Sequence, residues 1–537
     1  MVSNRMEQAL ASETDRAHVR LAELVAALSL GIDLGFGQPM EHVLRQCLIA
    51  LRLAEGIGLD EQQRAVVYYT ALLINVGCHS DAHEQAKWFG DDIALKAGKY
   101  DHEPKSMRSV AAGVRLLGSG NPPLHRFRLG LEFLISGHRE VDHMIVQHAA
   151  VARTLGEQLE LPGEVIEALG AAYERWDGRG WPGELEGEEV PIASRLAALA
   201  EFAEVANRLG GTEAVRQLVR ERRAEQFDPT LADLMDAEAD VILSGLDAVG
   251  TWEAVIQAEP ALAVVLSGER FDAALLAIAN FVDLKSPYFL GHASAVADLA
   301  AEAGARLGLT EGELRTLRRA GLVHDFGRLG VSNAIWDRAG PLGAGEWERV
   351  RLHPYLTERM LRQSQTLAPL AGIAVQHRER LDGSGYPRGL SGAGISRPAR
   401  ILGAADAYQA MREPRRHRPA RSDDEAAAEL RADVKAGRRD GESVEAVLGA
   451  AGHRVPRRHG GPAGLTQREV EVLRLLARGL SNKQIAERLV ISPKTVGNHA
   501  EHIYTKTGAS TRAAAGLFAM QHGLLPEEEF SQPASAA

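Results

Sequence analysis

Apolar residues along this chain recur at the three- and four-residue steps of a helix and seldom at the two-residue step of a strand. The runs LRQCLIALRLAEGIGL from Leu44 and VADLAAEAGARLGL from Val296 show this most clearly. Both are rich in Ala and Leu, which surrender little side-chain freedom in a helix. The expected fold class is therefore all-α. Gly and Pro punctuate the loops between helices, notably over 177–183 and 382–389.

The pattern also repeats. GHASAVADLAAEAGARLGL from Gly291 has the spacing of EHVLRQCLIALRLAEGIGL from Glu41, which sets His292 against His42 at an offset of 250. The same offset sets His324 and Asp325 against Ile74 and Asn75. Further on, ERLDGSGYPRGLSGAGISRPAR from Glu379 matches ERWDGRGWPGELEGEEVPIASR from Glu174 at an offset of 205, placing His353 on His148 and Asp406 on Glu201. The fall in offset gives the first copy 45 extra residues between Asn75 and His148. Matched points in unchanged order describe an internal duplication, expected as two helical domains at 1–270 and 271–451.

Beyond a Gly-Pro linker at 452–463, the segment 464–525 divides into four short helices by its caps. Thr466 and Glu469 form a capping box before the first, and Gly479 ends it. Ser481 starts the second, which carries Lys483, Ile485 and Ala486. Ser492-Pro493 starts the third, from Lys494 to Thr507. On that helix Val496, Ile503 and Tyr504 share the inward face, leaving Lys494, Thr495, Asn498 and Glu501 outward. A recognition helix is built this way, one side anchored in a core and the other free to enter a major groove.

Charge sharpens the picture. The chain of 537 residues has a net charge of -11, but 464–525 holds eight Lys/Arg against four Asp/Glu, and the linker adds Arg454, Arg457 and Arg458. Nucleic acid is thus expected at the tail and excluded from the surface as a whole. Cys47 and Cys78 cannot form a disulfide framework, Met1 to Glu13 lacks the features of a secretory signal, and no apolar stretch is long enough to span a bilayer. These observations point to a cytoplasmic protein with no membrane contact, and the 526–537 end reads as a flexible tail.

In the second copy His292, His324, Asp325, His353, His377 and Asp406 each fall on or beside a helical segment. Mixed nitrogen and oxygen donors suit Mn, Fe, Co, Ni or Mg better than a thiolate zinc site, and a helical bundle can gather them inward. Trp336 and Trp347 are expected to pack the helical core rather than stack on a nucleobase.

HDFGR at His324, PLGAGEWERVRLHP at Pro341, HRERLDGSGYPRGL at His377 and ARILGAADAYQAM at Ala399 together resemble the HD-GYP family of HD-domain phosphohydrolases. The resemblance implies a metal-dependent phosphodiesterase, typically acting on cyclic di-GMP. It places His292, His324, Asp325 and Asp406 around one divalent ion, with Asp325 bridging to a second held by His353 and His377. Gly385, Tyr386 and Pro387 correspond to the loop that names the family. The segment from Leu465 resembles the C-terminal domain of LuxR-type regulators. That resemblance assigns duplex DNA contacts to Lys483, Lys494, Thr495 and Asn498, with Lys506 near phosphate, and two-fold half-sites imply a homodimer.

This chain departs from both patterns. Arg328 stands for the usual lysine after the His-Asp pair, and Arg378 for the second histidine of HHE. A guanidinium stays protonated and does not ligate a metal, so the second ion loses a ligand. Arg328 can instead hold a phosphate oxygen beside the catalytic Asp325, and Arg378 can supply charge for a nucleotide. Turnover and pure nucleotide sensing both remain open at this point. In the tail Gly497 takes the place of a common lysine. The first copy keeps His42, His148 and Glu201 but has Ile74, Asn75, Ala172 and Tyr173 at the other positions, and Cys78 where Arg328 stands. It is expected to be catalytically silent, with a scaffold, dimerisation or sensory role.

Overall fold

The helix Leu21–Gly35 is apolar on nearly every face, and a helix of that kind has to be buried. In the computed structural model it lies inside the first of two compact units, 1–453 and 454–537. The structure describes residues 19–100, 115–118, 123–133, 138–246, 250–260, 263–454, 460–509, 511–522 and 524. Residues Met1 to Glu13, linker residues 455–459 with Arg457 and Arg458, and the 526–537 end lie outside them.

One hydrophobic core runs through both sequence copies, from Val19 to Ala374. At Gly31 the central helix comes so close to the second copy that an added Cβ would lie 2.6 Å from Met360. A second core gathers Val296, Ile401, Leu402, Leu430 and Val447 from helices His292–Arg306, Arg397–Arg412, Asp423–Lys435 and Gly441–Ala450. Strands are confined to two-residue pairs among the described residues, such as Val19–Arg20 against Val265–Leu266. The all-α expectation holds. No helix among the described residues is long and apolar enough to cross a membrane.

The duplication is visible element by element. Helices His42–Gly56 and His292–Arg306 both follow a left-handed residue, Glu41 with φ 79° and Gly291 with φ 73°. Helices Glu61–Leu73 and Glu311–Val323 both start in capping boxes, and each leads into a short 3-10 turn, Val76–His79 or Phe326–Gly330. In those turns a Cβ on Gly77 or Gly327 would sit 2.0 Å from the carbonyl oxygen of His148 or His353. Only glycine lets the histidine-bearing helix lie this close to the turn.

The starts of the paired helices are fixed by matching buried carboxylates. Asp33 Oδ1 accepts from the Val43 amide at 3.0 Å, and Asp283 Oδ2 from the Ala293 amide at 2.9 Å. Burial pushes Asp33 up to about 7, against the pull of His42 and the Val43 amide. A carboxyl whose folded value lies above its unfolded one favours the fold at low pH, and that contribution is lost as pH rises through the folded value. Asp33→Asn, which stays neutral, is therefore expected to gain in melting temperature relative to wild type as pH is raised from about 5 to about 8. Parallel pH profiles of the two melting temperatures would refute this.

The second unit holds helices Gln467–Ala477, Asn482–Leu489, Pro493–Thr507 and Arg512–Gln521 around Leu465, Val472, Leu473, Ile485, Val496 and Ile503. Thr466 and Ser481 start their helices in capping boxes, and Ser492 caps the third by accepting from the Thr495 amide.

Candidate metal centre and helix-turn-helix tail

The folding of the second copy brings the six predicted donors together, all of them buried. His324 Nδ1 donates to the Gly321 carbonyl at 2.6 Å, His353 Nδ1 to that of Val350 at 2.6 Å, and His377 Nδ1 to that of Ala374 at 2.7 Å. His292 Nδ1 meets Glu413 instead, at 2.9 and 3.0 Å. With every Nδ1 engaged outward, each ring turns its Nε2 lone pair toward the centre, the arrangement a ligating histidine needs.

Asp325 is the hub. Its Oδ2 lies 2.8 Å from His324 Nε2 and 3.5 Å from His292 Nε2. Its Oδ1 lies 3.4 Å from His353 Nε2 and 3.7 Å from His377 Nε2. Two donor groups result, His292/His324/Asp325/Asp406 and Asp325/His353/His377, with the ligand atoms within 4.8 Å of one another in each. His324 Nε2, both Asp325 oxygens and Asp406 Oδ2 are buried without a directed hydrogen bond. Buried donor atoms converging in this way, with charged neighbours but no directed hydrogen bond, fit a divalent cation.

Two arginines answer the carboxylates. Arg328 Nη2 lies 2.5 Å from Asp325 Oδ2, its guanidinium resting on Phe289 at 4.3 Å. Arg378 sets its fork on Asp406, with both N···O distances at 3.2 Å. Burial opposes ionisation of Asp325 and Asp406, but Arg328 and Arg378 respectively, with the surrounding histidines, hold both well below the usual carboxylate range. Burial, joined by nearby cations, holds His377 well below its ordinary value and lowers His353.

A cleft of about 500 Å³ opens beside the centre, walled by Trp347, Arg351, Arg378, Arg380, Tyr386 and Arg439. Glu379 closes the 385–387 loop by accepting from the amides of Arg388 at 2.7 Å and Leu390 at 2.9 Å. Gly385 is required there, since a Cβ would meet the Glu379 and Arg380 backbone at 2.4 Å. Tyr386 faces His353 with ring centroids 6.1 Å apart, and the Tyr386–Pro387 bond is cis.

The expectation for Trp347 is corrected: it is 45% exposed and lines the cleft rather than packing the core. Its helix, Ala344–Leu361, buries Val350, His353 and Thr357, a face that leaves Trp347 outside. Trp336 packs as expected, edge-on to Phe289 and His353. Glu413, which orients His292, escaped the sequence reading. Its one signal is the first copy, where Glu204 meets His42 Nδ1 in the same way.

The corresponding place in the first copy holds an ammonium group. Lys99 Nζ lies 2.7 Å from Glu201 and 3.3 Å from Asn75 Oδ1, with Phe36, Tyr100, Tyr173 and Phe202 rings within 5.9 Å. Cys78 Sγ is 2.6 Å from the Tyr173 hydroxyl. Among the described residues, both candidate metal groups belong to the second copy. Lys99 lies between Asn75 and His148, the stretch in which the first copy is 45 residues longer, and it supplies a cation to the vestigial centre.

In the tail, Lys483, Lys494 and Asn498 are exposed and Thr495 is half-buried, while Val496, Ala500 and Ile503 are buried. Lys506 Nζ is ion-paired to the buried Glu469 at 2.6 Å, which neutralises part of the charge it would offer a phosphate.

A His/Asp centre sharing one aspartate, in one unit, and a capped helix-turn-helix, in the other, define the class: an HD-type phosphohydrolase joined to a DNA-binding regulator. The HD domain family matches residues 138–231 and 277–442, touching both copies, and the luxR family of bacterial regulatory proteins matches 463–519. The 3′3′-cGAMP-specific phosphodiesterase 3 of Vibrio cholerae is 32% identical over 413 residues, 76% of this chain and 90% of that protein. The cyclic di-GMP phosphodiesterase response regulator RpfG of Xanthomonas campestris is 38% identical over 144 residues, 26% of this chain and 37% of that protein. The crystal structure of a cyclic GMP-AMP specific phosphodiesterase of V. cholerae, V-cGAP3, matches with a TM-score of 0.57 and 28% identity, covering 82% of this chain and 99% of that one. The chain belongs to the HD-domain phosphohydrolases of the HD-GYP type and ends in a LuxR-type DNA-binding domain.

Proposed function

We propose that this protein is a transcriptional regulator whose second HD copy, 271–451, hydrolyses a 3′3′-cyclic dinucleotide and whose tail, 464–525, binds duplex DNA. The observation that carries the enzymatic half is the pair of donor groups around Asp325, joined through Arg378 and Tyr386 to a cleft that Arg351, Arg380 and Arg439 also line. His292, His324, Asp325 and Asp406 would hold one divalent ion, and Asp325, His353 and His377 would hold a second. Such ions generate hydroxide near neutral pH and neutralise charge on the attacked phosphate. The protein's own part is to aim the four Nε2 atoms, exclude water behind Phe289 and Trp336, and present Arg328 to a phosphate oxygen. The relative that spans 90% of its own length here is a cGAMP phosphodiesterase, which favours turnover over pure sensing. Metal analysis of the purified full chain, followed by a hydrolysis assay with 3′3′-cGAMP and cyclic di-GMP, tests this; a metal-loaded protein with no turnover of either overturns it.

The first copy, 1–270, serves as a scaffold with its centre filled by Lys99. For the tail, the exposed face of Pro493–Thr507 enters the major groove with Lys494, Thr495 and Asn498, and Lys483 meets phosphate from the preceding helix. A homodimer would set two such helices on half-sites about one DNA turn apart. Replacing both Lys483 and Lys494 by alanine is expected to weaken binding to all duplexes alike and to flatten the slope of log K against log salt by about one per lysine. An unchanged slope would move the DNA contacts off this face.

A further inference from the structure

Asp406 is asked to serve two cations. It belongs to the four-donor group with His292, His324 and Asp325, yet Arg378 Nη2 donates to its Oδ1 at 3.2 Å while Nη1 lies in ion-pair range of its Oδ2, also at 3.2 Å. A divalent ion at that group needs an Asp406 lone pair and repels a guanidinium lying on the same carboxylate. The two cations therefore compete.

Arg378 has somewhere else to go. Its side chain is 23% exposed and lines the cleft of about 500 Å³, and its buried Nε has no hydrogen-bond partner. Of the other cations around the cleft, Arg439 is held by the Gly403 carbonyl at 2.6 Å, Arg351 pairs with Glu348 at 3.0 Å on the surface and Arg380 donates to Ser384 Oγ at 3.5 Å; Arg378 differs from them in lying on a donor carboxylate. A cyclic dinucleotide carries two phosphates, and only one can sit at the donor centre. The other phosphate, or the outer oxygens of the first, needs a planar, forked cation beside Trp347 and Tyr386.

We propose that Arg378 is a metal-released phosphate receptor: it closes on Asp406 when the four-donor group is empty, and metal binding turns it into the cleft to take a phosphate oxygen. The inference rests on the metal-centre reading given above and adds a coupling between ion and anion.

The test uses the full chain and two probes, Mn²⁺ alone and inorganic phosphate on the Mn²⁺-loaded protein, both followed by calorimetry. Arg378→Met, which keeps the length but not the charge, is expected to bind Mn²⁺ about tenfold more tightly than wild type. Once loaded, it is expected to bind phosphate about tenfold more weakly. Arg378→Lys guards against misfolding: it keeps the charge but not the fork, so its phosphate affinity should lie between those of wild type and Arg378→Met. Equal or weaker Mn²⁺ binding by Arg378→Met overturns the competition, and unchanged phosphate binding overturns the receptor role. If wild type takes up no Mn²⁺, the metal-centre reading fails as well; if it does and Arg378→Met behaves identically, only this inference fails.

Discussion

Replacing Asp325 by alanine is expected to strip the second copy of metal and to lower cyclic dinucleotide hydrolysis roughly a thousandfold or more, the effect of losing several kcal/mol of transition-state charge stabilisation. Of the six donors, this one serves both groups: one oxygen faces His292 and His324, the other His353 and His377. Its loss also leaves Arg328, 3% exposed, without its carboxylate. An unpaired buried charge costs about 3–5 kcal/mol, so Asp325→Asn, which keeps the shape, belongs beside the alanine variant. Metal content, turnover and melting temperature separate the possibilities. Loss of metal and turnover in a variant that melts near wild type supports the shared-ligand role. Wild-type metal content with wild-type turnover would remove Asp325 from the site altogether. The counterpart Asn75→Ala, in a centre already holding Lys99, is expected to change neither metal nor turnover.

How far the site could be read from the sequence depended on how locally each residue is specified. The six donors lie in short motifs whose spacing is set by helix ends and turns, so His324, Asp325, His353 and Asp406 could be placed from the repeat and the family pattern. Glu413 could not: it reaches His292 across 121 residues from beyond the end of its motif, one helical turn further from Asp406 than Glu204 is from Glu201. Lys99 sits in the stretch between Asn75 and His148 where the repeat offers no matched point, and pairing between a lysine and a carboxylate 102 residues away leaves no periodic trace. Arg378 could be seen as a lost histidine, but its fork on Asp406 is a tertiary contact. Trp347 is not legible from its spacing, because a tryptophan at helical spacing is usually core and only the packing of its helix shows the opposite face buried. In the tail, by contrast, capping residues and buried positions all lie within a few residues of one another, and each predicted cap is present.

Val496→Asp is expected to abolish DNA binding while leaving metal uptake and hydrolysis intact. Val496 is fully buried at the junction of the second and third tail helices, in a core with Ile485, Leu473 and Ile503. A carboxylate there has no partner, and burying it costs several kcal/mol. A domain of this size draws only about 3–5 kcal/mol from a single hydrophobic core, so the substitution should unfold it. The first unit has its own cores, from Val19 to Ala374 and around Ile401 and Val447, none of which includes a tail residue. Thermal melts should therefore lose the tail's transition alone. Asn498→Ala is the contrasting case: an exposed side chain on the same helix, whose loss should cost about 1–3 kcal/mol of base discrimination without unfolding anything. Anisotropy titrations against duplex DNA at fixed salt distinguish the two. If Val496→Asp bound DNA as wild type does, the groove-facing helix would have to be sought outside 493–507.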